Sequence, residues 1–496
     1  MKRTAIFLGL ACVCALFSCK KDLQTPVTDP SLSSKQNLAL VTVNGVTTNT
    51  DTIPPTNAIE IHTLGVKGDG VTDDTQALQN AFNSKTALVF KGGTYIINTT
   101  LHLPAGVKIY GINGATIKSG NAMSGRLLTL GHFFEIENSN RNNIINMIFG
   151  QSAQDYSLGP WGTAVIYIKN SPYCNVSYCK FNFNIPYQHS GVQAIWCDGA
   201  GTFQTYICHN ICNTVGIEYA ESGASGTICM FNTINNSHSN ALSGDGNGTV
   251  YCTGVKVCYN VINNAGYNGI NDYGLIDGTL IRGNVINGSG KSPSEGALGE
   301  GIQAVAVNTV VTLNTISDAQ AEYIECASTN KRIDSNAIID TKFQMLGIVV
   351  NTKDPAQANA KSSVAQIDYN KIIGCLDAIE IYGGNPTSVN ITHNTMTNFK
   401  NVGVNIISTS PVYTVNVSDN VFNITTPSIQ TGTRSAILSY VATKTLTQLV
   451  NLTNNTITYA TSANNGAGPE RAINTCTNNA TLIGNIVNGN SHSNRS

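Results

Sequence analysis

The chain has 496 residues, of which 41% are hydrophobic and only 11% charged, with 46 glycines and a formal net charge of −1. That hydrophobic share can fill a core and excludes a disordered polar chain, and the near-zero charge, with no long basic run beyond the first residues, excludes nucleic acid as the main partner. The length allows several ordinary domains, or one elongated repeat fold.

The chain opens MKRTAIFLGLACVCALFSCKKD: Lys2 and Arg3, an apolar run from Ala5 to Phe17, then Ser18 before Cys19. The run is short for a membrane-spanning helix and has the shape of a cleavable secretory leader. Its Leu-Phe-Ser-Cys ending resembles a bacterial lipoprotein signal. That resemblance implies a signal peptide over 1–18, a lipid on the Cys19 thiol, and a protein of the bacterial cell envelope anchored at the outer membrane, on either its periplasmic or its surface side. Residues 19–58, rich in Thr, Asn, Ser and Pro, are expected to form a flexible tether.

From Ile59 the pattern tightens into a domain predicted to run over 59–496. IEIHTLGVKGDGVTDDTQALQNAF at 59–82 reads as a short strand, a Gly-rich turn and a helix opened by Thr72–Asp74. Ala77, Leu78, Ala81 and Phe82 share one face of that helix. A helix in this place is expected to cap a first coil, with 59–118 holding the cap and the first coils.

The greater part of the remaining chain is one phrase repeated: an apolar residue, two positions, Asn, one position, an apolar residue. The Asn falls at 210, 232, 260, 284, 314, 336, 370, 394, 420, 455 and 485, in steps of 22 to 35 residues. A fixed phrase with elastic gaps is a single unit that buries its face only by stacking on copies of itself. Period-two alternation, Val, Ile and Thr, and frequent Gly favour short strands over helices. About 22 residues per turn predicts an all-β solenoid, a right-handed parallel β-helix with a short N-terminal capping helix. The Asn is expected to turn inward at a bend, adopt left-handed backbone geometry, and pass an amide bond to the Asn of the next coil.

Without Cys12, Cys14 and Cys19, 11 of the 14 cysteines remain. Cys212 and Cys229 fall in apolar slots of the repeat, which predicts buried thiols and not a disulfide framework. Cys174 and Cys179 lack partners at zinc-site spacing.

GVKGDGVTDDTQALQNAF and LVFKGGTYIINTTLHLPAGVKIYGINGATI, at 65–82 and 88–117, resemble the opening of the pectate-lyase superfamily, in particular its rhamnogalacturonase- and epimerase-like group. The resemblance implies a β-helix and action on polysaccharides, with pectin- or uronate-type glycans favoured. It leaves the reaction open, because this fold carries lyases, hydrolases, epimerases and binding proteins. The Asn-Thr-Asp, Asp-Asp, Gly-His-Gly and Arg-Ile-Lys motifs of polygalacturonase-like hydrolases have no counterpart in position. Asn49–Asp51 lies in the tether, Asp73–Asp74 in the cap, Phe133 follows Gly131-His132, and Asp334 follows Lys331-Arg332-Ile333.

The strand after each Asn bend is the candidate groove face. With apolar residues inward, alternation predicts Glu218, Ser243, Asp245, Asn271, Tyr273, Gln303, Glu325 and Glu380 outward, and Asp272 with them if its Gly-rich strand end bends. Trp196 and Asp198 occupy the comparable place upstream. Hydrolysis of a glycan needs two carboxylates, one as acid and one as base or nucleophile. Asp245 with Asp272, or Glu218 with Asp245, are the candidate pairs, with Glu325 a further catalytic candidate. A lyase needs a base and a cation, for which Ca2+ is one candidate, with the metal left open; His189 and Tyr187 are possible bases and Lys169 can face the same groove. Trp196 and Tyr273 are candidate sugar platforms, with Asp198, His189, Asn271, Gln303 and Glu300 as further substrate contacts. The loops at 154–162, with Trp161, and at 289–301, with Glu295 and Glu300, are candidate groove walls. A non-catalytic glycan-binding or adhesive surface protein would use the same groove without paired acids.

Overall fold

The structure is a computed structural model that describes residues 40–43, 46–49, 53–120, 131–151, 162–185, 187, 192–293, 299–327, 330–351, 363–382, 386–408, 412–425, 435–441, 447–459, 471–475 and 480–488. The proposed leader and Cys19 lie outside these residues, as do Trp161, His189 and Glu295. The chain divides into two compact units, Met1–Ile53 and Pro54–Ser496. In the first, Leu40–Val43 and Val46–Asn49 pair as an antiparallel hairpin. Among the described residues no helix is long and apolar enough to cross a membrane.

The second unit is a right-handed parallel β-helix. Sheet 1 has 16 strands from Ile59–Glu60 to Ala480–Ile483, sheet 2 has 16 from Asp69–Asp73 to Ile486–Asn488, and sheet 3 has 14 from Leu101–His102 to Arg471–Thr475. Each strand pairs in parallel with its equivalent one coil away, so a side chain's row is set by register. The apolar slot three before the ladder Asn runs up sheet 1 as Ile207, Cys229, Val257, Ile281 and Val311. The slot two after it runs up sheet 2 as Cys212, Ile234, Ile262, Ile286 and Ile316. All ten are fully buried. In the copy around Asn485 the pattern loosens, and Leu482 is 43% exposed.

The Asn ladder forms between sheets 1 and 2. Asn284 Nδ2 donates to the Val257 carbonyl at 2.9 Å and to Asn314 Oδ1 at 2.9 Å, while its own Oδ1 accepts from the backbone N–H and Nδ2 of Asn260. The side-chain relay continues unbroken from Asn210 to Asn485. Buried amides are tolerable here because these bonds satisfy donor and acceptor alike. One expectation is corrected: the left-handed residue is the one before the Asn. His209, Phe231, Tyr259 and Leu313 take φ of 56–59°. Turning the chain one residue early leaves the Asn side chain aimed inward and sends its predecessor outward. Tyr178, His209, Phe231 and Tyr259 consequently stack on the outer corner, with centroids 4.7–5.5 Å apart.

The cap is a helix, Thr75–Ser84, whose Leu78, Ala81 and Phe82 are buried. The Asp74 carboxylate accepts the N–H groups of Lys67 and Gly68, tying the Gly-rich turn to the start of the helix. Phe82 packs edge-on against Phe134 of the first coils, 5.8 Å between centroids. The ten described cysteines are free, and all but Cys208 are buried.

Candidate active site

Sheet 3 carries one outward row, fixed by register: Tyr167, Trp196, Glu218, Ser243, Asn271 and Gln303, continuing through Glu325, Val349 and Glu380 to Asn405. The alternation read from sequence therefore puts Glu218, Ser243, Asn271, Gln303, Glu325 and Glu380 on the same face. They are not equally open. Glu218 and Ser243 are fully buried and Asn271 nearly so, whereas Gln303, Glu325 and Glu380 are half-buried. Trp196 is also buried, at 4% exposed, so its ring is not an open sugar platform.

A second outward row holds Glu137, Lys169, Asp198 and Glu221. Alternation from Glu218 assigns Glu221 to the interior, and the residue pattern gives no sign of its place in this row. The pairing of Gly216–Glu221 with both neighbouring strands is interrupted by irregular register around Glu218 and Ala220, and this bulge turns Glu221 outward beside Asp198. Glu218, Glu221 and Asp245 converge as a result, with one carboxylate oxygen from each within 4.8 Å of the others.

The surroundings of the three differ. Asp245 accepts from Asn271 Nδ2 at 2.5 Å and from Ser243 Oγ at 3.2 Å, and donates its own N–H to Glu218 Oε1 at 3.1 Å. Burial raises its pKa and the Ser243 and Asn271 donors work against that rise. Burial, followed by the neighbouring Asp245 and Glu221 charges, pushes Glu218 well above the ordinary glutamate range. Burial and Asp245 lift Glu221 to about 7. Glu218 Oε2 and Glu221 Oε2 are buried without a hydrogen-bond partner. Three clustered carboxylates with two open oxygens can share protons, and the same oxygen set suits a hard divalent cation.

Asp272 does not join this cluster. In Ile270–Asp272 the first and third residues point inward, and Asp272 pairs in register with Gly244 and Ala304, whose small size leaves room for a carboxylate inside the coil. Its oxygens lie 2.8 Å from the hydroxyls of Thr279 and Thr309, and Lys331 Nζ reaches Thr309 Oγ1 at 3.2 Å. Asp272 is fully buried and belongs to a polar knot in the core, so the Asp245–Asp272 pair is excluded.

Of the remaining candidates, Asp198 accepts from the Tyr167 hydroxyl at 2.5 Å, a contact between coils that residue order does not reveal. Lys169 lies in the second row, 3.7 Å from Glu137. Tyr187 reaches Asn236 at 3.5 Å and Tyr273 is half-buried. Gln303 Nε2 donates to Glu325 at 2.8 Å, while Gln303 Oε1 accepts from Asn268, whose Oδ1 takes the Glu300 N–H. Burial lifts Glu300 to about 7, and Glu300 Oε2 is buried without a partner. Further along, Asn405 Nδ2 donates to both Asp377 at 2.8 Å and Glu380 at 3.2 Å. Asp377 and Glu322 do not stand out in the sequence, because Asp377 opens its strand on the inward parity of Ile379 and Glu322 lies just before the strand Ile324–Cys326.

Comparison with known proteins agrees with this architecture. Residues 58–271 match the family described as rhamnogalacturonase A/epimerase, pectate lyase-like. A probable glucan endo-1,3-beta-glucosidase of Arthroderma benhamiae is 39% identical over 56 residues, 11% of this chain and 6% of that protein. The tail spike protein of Shigella phage Sf6 is 35% identical over 86 residues, 15% of this chain and 14% of that protein. The chain thus spans a small fraction of these relatives. Among solved structures, the N-terminal fragment of bacteriophage Phi29 gene product 12 covers 88% of this chain and 71% of its own, at 14% identity and a TM-score of 0.50, a likeness of fold.

Proposed function

We propose, for a chain whose residues 58–271 carry a rhamnogalacturonase A/epimerase, pectate lyase-like domain, that it cleaves a polysaccharide by hydrolysis at Glu218, Glu221 and Asp245. The observation that carries this reading is the convergence of the three carboxylates within 4.8 Å on the outward face of sheet 3. Glycoside hydrolysis with retention uses two carboxyl groups roughly 5–5.5 Å apart, whereas inversion needs roughly 6.5–9.5 Å to admit a water between them. Glu221, with its pKa lifted to about 7, holds a proton near neutrality and gives it to the departing glycosidic oxygen. Asp245, oriented by Asn271 and Ser243, attacks the anomeric carbon as carboxylate. Water, deprotonated by Glu221, then releases the sugar and restores both groups. Glu218, a weaker acid than usual through burial and the Asp245 and Glu221 charges, positions Asp245 by accepting its N–H. The short similarity to a probable glucanase supports hydrolysis.

The test is product stereochemistry. Proton NMR of the first-formed reducing ends is expected to give the anomer of the substrate, and the inverted anomer refutes the assignment of Asp245. A cation-assisted lyase is the second reading, favoured by the two open oxygens of Glu218 and Glu221. Turnover abolished by chelator, with unsaturated products that absorb in the ultraviolet, would establish it in place of hydrolysis.

The same reading takes the protein to the bacterial cell envelope through a lipid on Cys19. Mass analysis of the mature N-terminus, compared with a Cys19→Ala variant, tests this.

A further inference from the structure

The face that holds the three carboxylates continues in the same chemical character along the β-helix. Nine consecutive strands of sheet 3, from Gln193–Asp198 to Val402–Ser408, contain no Lys, Arg or His. From Glu218 to Asn405 the outward row crosses seven strand steps, about 34 Å at the usual strand spacing. Along it amides hold carboxylates: Asn271 holds Asp245, Gln303 holds Glu325, and Asn405 holds Asp377 and Glu380. The basic residues of the sheet 3 strands upstream of it are His102, beside Glu135 at 3.0 Å, His132, stacked on Tyr167 at 4.3 Å, and Lys169, paired with Glu137 at 3.7 Å.

Buried polar atoms without partners lie along this face: Oε2 of Glu218, Glu221 and Glu300 and Oδ1 of Asn405, with Gln193 Nε2 and Oε1 at its upstream end. A carboxyl that carries a proton donates as well as accepts, and an amide does both, so these groups suit a ligand that can do the same. Sugar hydroxyls donate and accept alike, whereas each ionised uronate adds a negative charge that no Lys, Arg or His of these nine strands offsets and that disfavours ionisation of the acids beside it.

We infer that this face takes a neutral, hydroxyl-rich glycan laid along the strand-stacking direction, and that it rejects polyuronates. The inference deepens the proposal of polysaccharide cleavage and rests on it for the choice of face. It departs from the uronate preference that the family resemblance implies; the family match ends at residue 271, within the row, and Gln303, Glu325, Glu380 and Asn405 lie beyond it.

The test uses the full chain in native gels containing laminarin, dextran, galactan, xylan, chitosan oligosaccharides or polygalacturonate, at low and high salt, with EDTA or with CaCl2. The expected result is retardation by at least one of the four neutral polymers, unchanged by salt and by EDTA, and none by polygalacturonate in either metal condition. Gln303→Ala is expected to weaken the neutral interaction about tenfold in protein that is still folded, with a lower melting temperature because Asn268 Nδ2 loses its acceptor along with the loss of the donor to Glu325. Retardation by polygalacturonate with or without Ca2+, tighter and salt-sensitive binding of chitosan, binding to none of the polymers, or a Gln303→Ala variant that binds as tightly as the parent each overturn it. Neutral binding without release of reducing ends leaves this inference standing and removes the hydrolase assignment, so the two fail separately.

Discussion

Asn271 Nδ2 lies 2.5 Å from Asp245 Oδ1, joining residues of adjacent coils that are 26 positions apart in sequence. The bond holds a carboxylate in place and opposes the effect of burial on its acidity. If Asp245 is the nucleophile, Asp245→Asn should lower kcat by about 10³ or more with affinity for substrate nearly unchanged. Asn271→Ala should lower kcat by a smaller factor, roughly 10 to 100, because the carboxylate remains but its orientation is lost. Steady-state kinetics with separate kcat and KM values check both.

Turnover should depend on pH through Glu221, whose pKa is lifted to about 7 by burial and by Asp245. The group serves as an acid, so its useful form is lost as pH rises through that value. We expect kcat to fall on the alkaline side of about pH 7, and Glu221→Gln to abolish that limb together with most of the activity. A pH profile of kcat at saturating substrate checks this.

Stability should fall as pH rises, for the same physical reason at other acids. Glu300 and Glu380 are both lifted from 4.5 to about 7, by burial first and then by Glu325 and Glu322 for the former and Asp377 for the latter. A carboxyl whose folded pKa exceeds its unfolded value binds more protons when folded, so stability is lost from about pH 4.5 upward until the group is ionised in both states. Asp377 and Glu322 face Glu380 and are raised as well, which adds to the slope, while the Asn405 amide moderates it. The melting temperature is expected to be higher at about pH 5 than at about pH 8, with a smaller difference in Glu380→Gln.

Asp272 should matter for folding and not for chemistry. Burial lowers the Lys331 pKa to about 8, and Asp272 and Thr309 are its polar surroundings inside the coil. Asp272→Ala leaves the buried Lys331 amine without its neighbouring carboxylate and the Thr279 hydroxyl without its acceptor, while Thr309 keeps the Ala306 carbonyl, at a cost of about 3 kcal/mol. Chemical denaturation should register that loss, while kcat of the folded fraction stays within about twofold of the parent.

Asn284→Leu tests the ladder. The substitution keeps the branched heavy-atom outline but removes the side-chain donor to the Val257 carbonyl and the acceptor of the Asn260 backbone N–H and of one Asn260 amide N–H, while Asn314 Oδ1 keeps only the backbone N–H of residue 284. Each orphaned buried group costs roughly 1–3 kcal/mol, with relaxation of the bend reducing the sum. A large drop in denaturation midpoint is expected, and a conservative Asn284→Asp exchange should recover only the acceptor half of the relay.

Much of this molecule is local, and local patterns are legible. The period-two phrase with its Asn states both the strand and the bend, so the coil, its two core rows, the capping helix and the outward alternates from Glu218 to Glu380 could be read directly from residue order. Three things needed the coils to be stacked. The bulge at Glu218–Ala220 shifts Glu221 across the sheet, and a bulge leaves no mark in an alternation pattern. Asp272 turned inward because its neighbours in register, Gly244 and Ala304, are small, and register between residues 28 and 32 positions apart is not written in either strand. The left-handed residue sits one before each ladder Asn because the Asn itself is held by bonds to the coils above and below. Sequence alone determined which residues repeat and which face each strand offers. Residue order offered Glu218 with Asp245 as one of two pairs, and only the tertiary structure decided between them and added Glu221, since these distances are set by stacking and a local break in register.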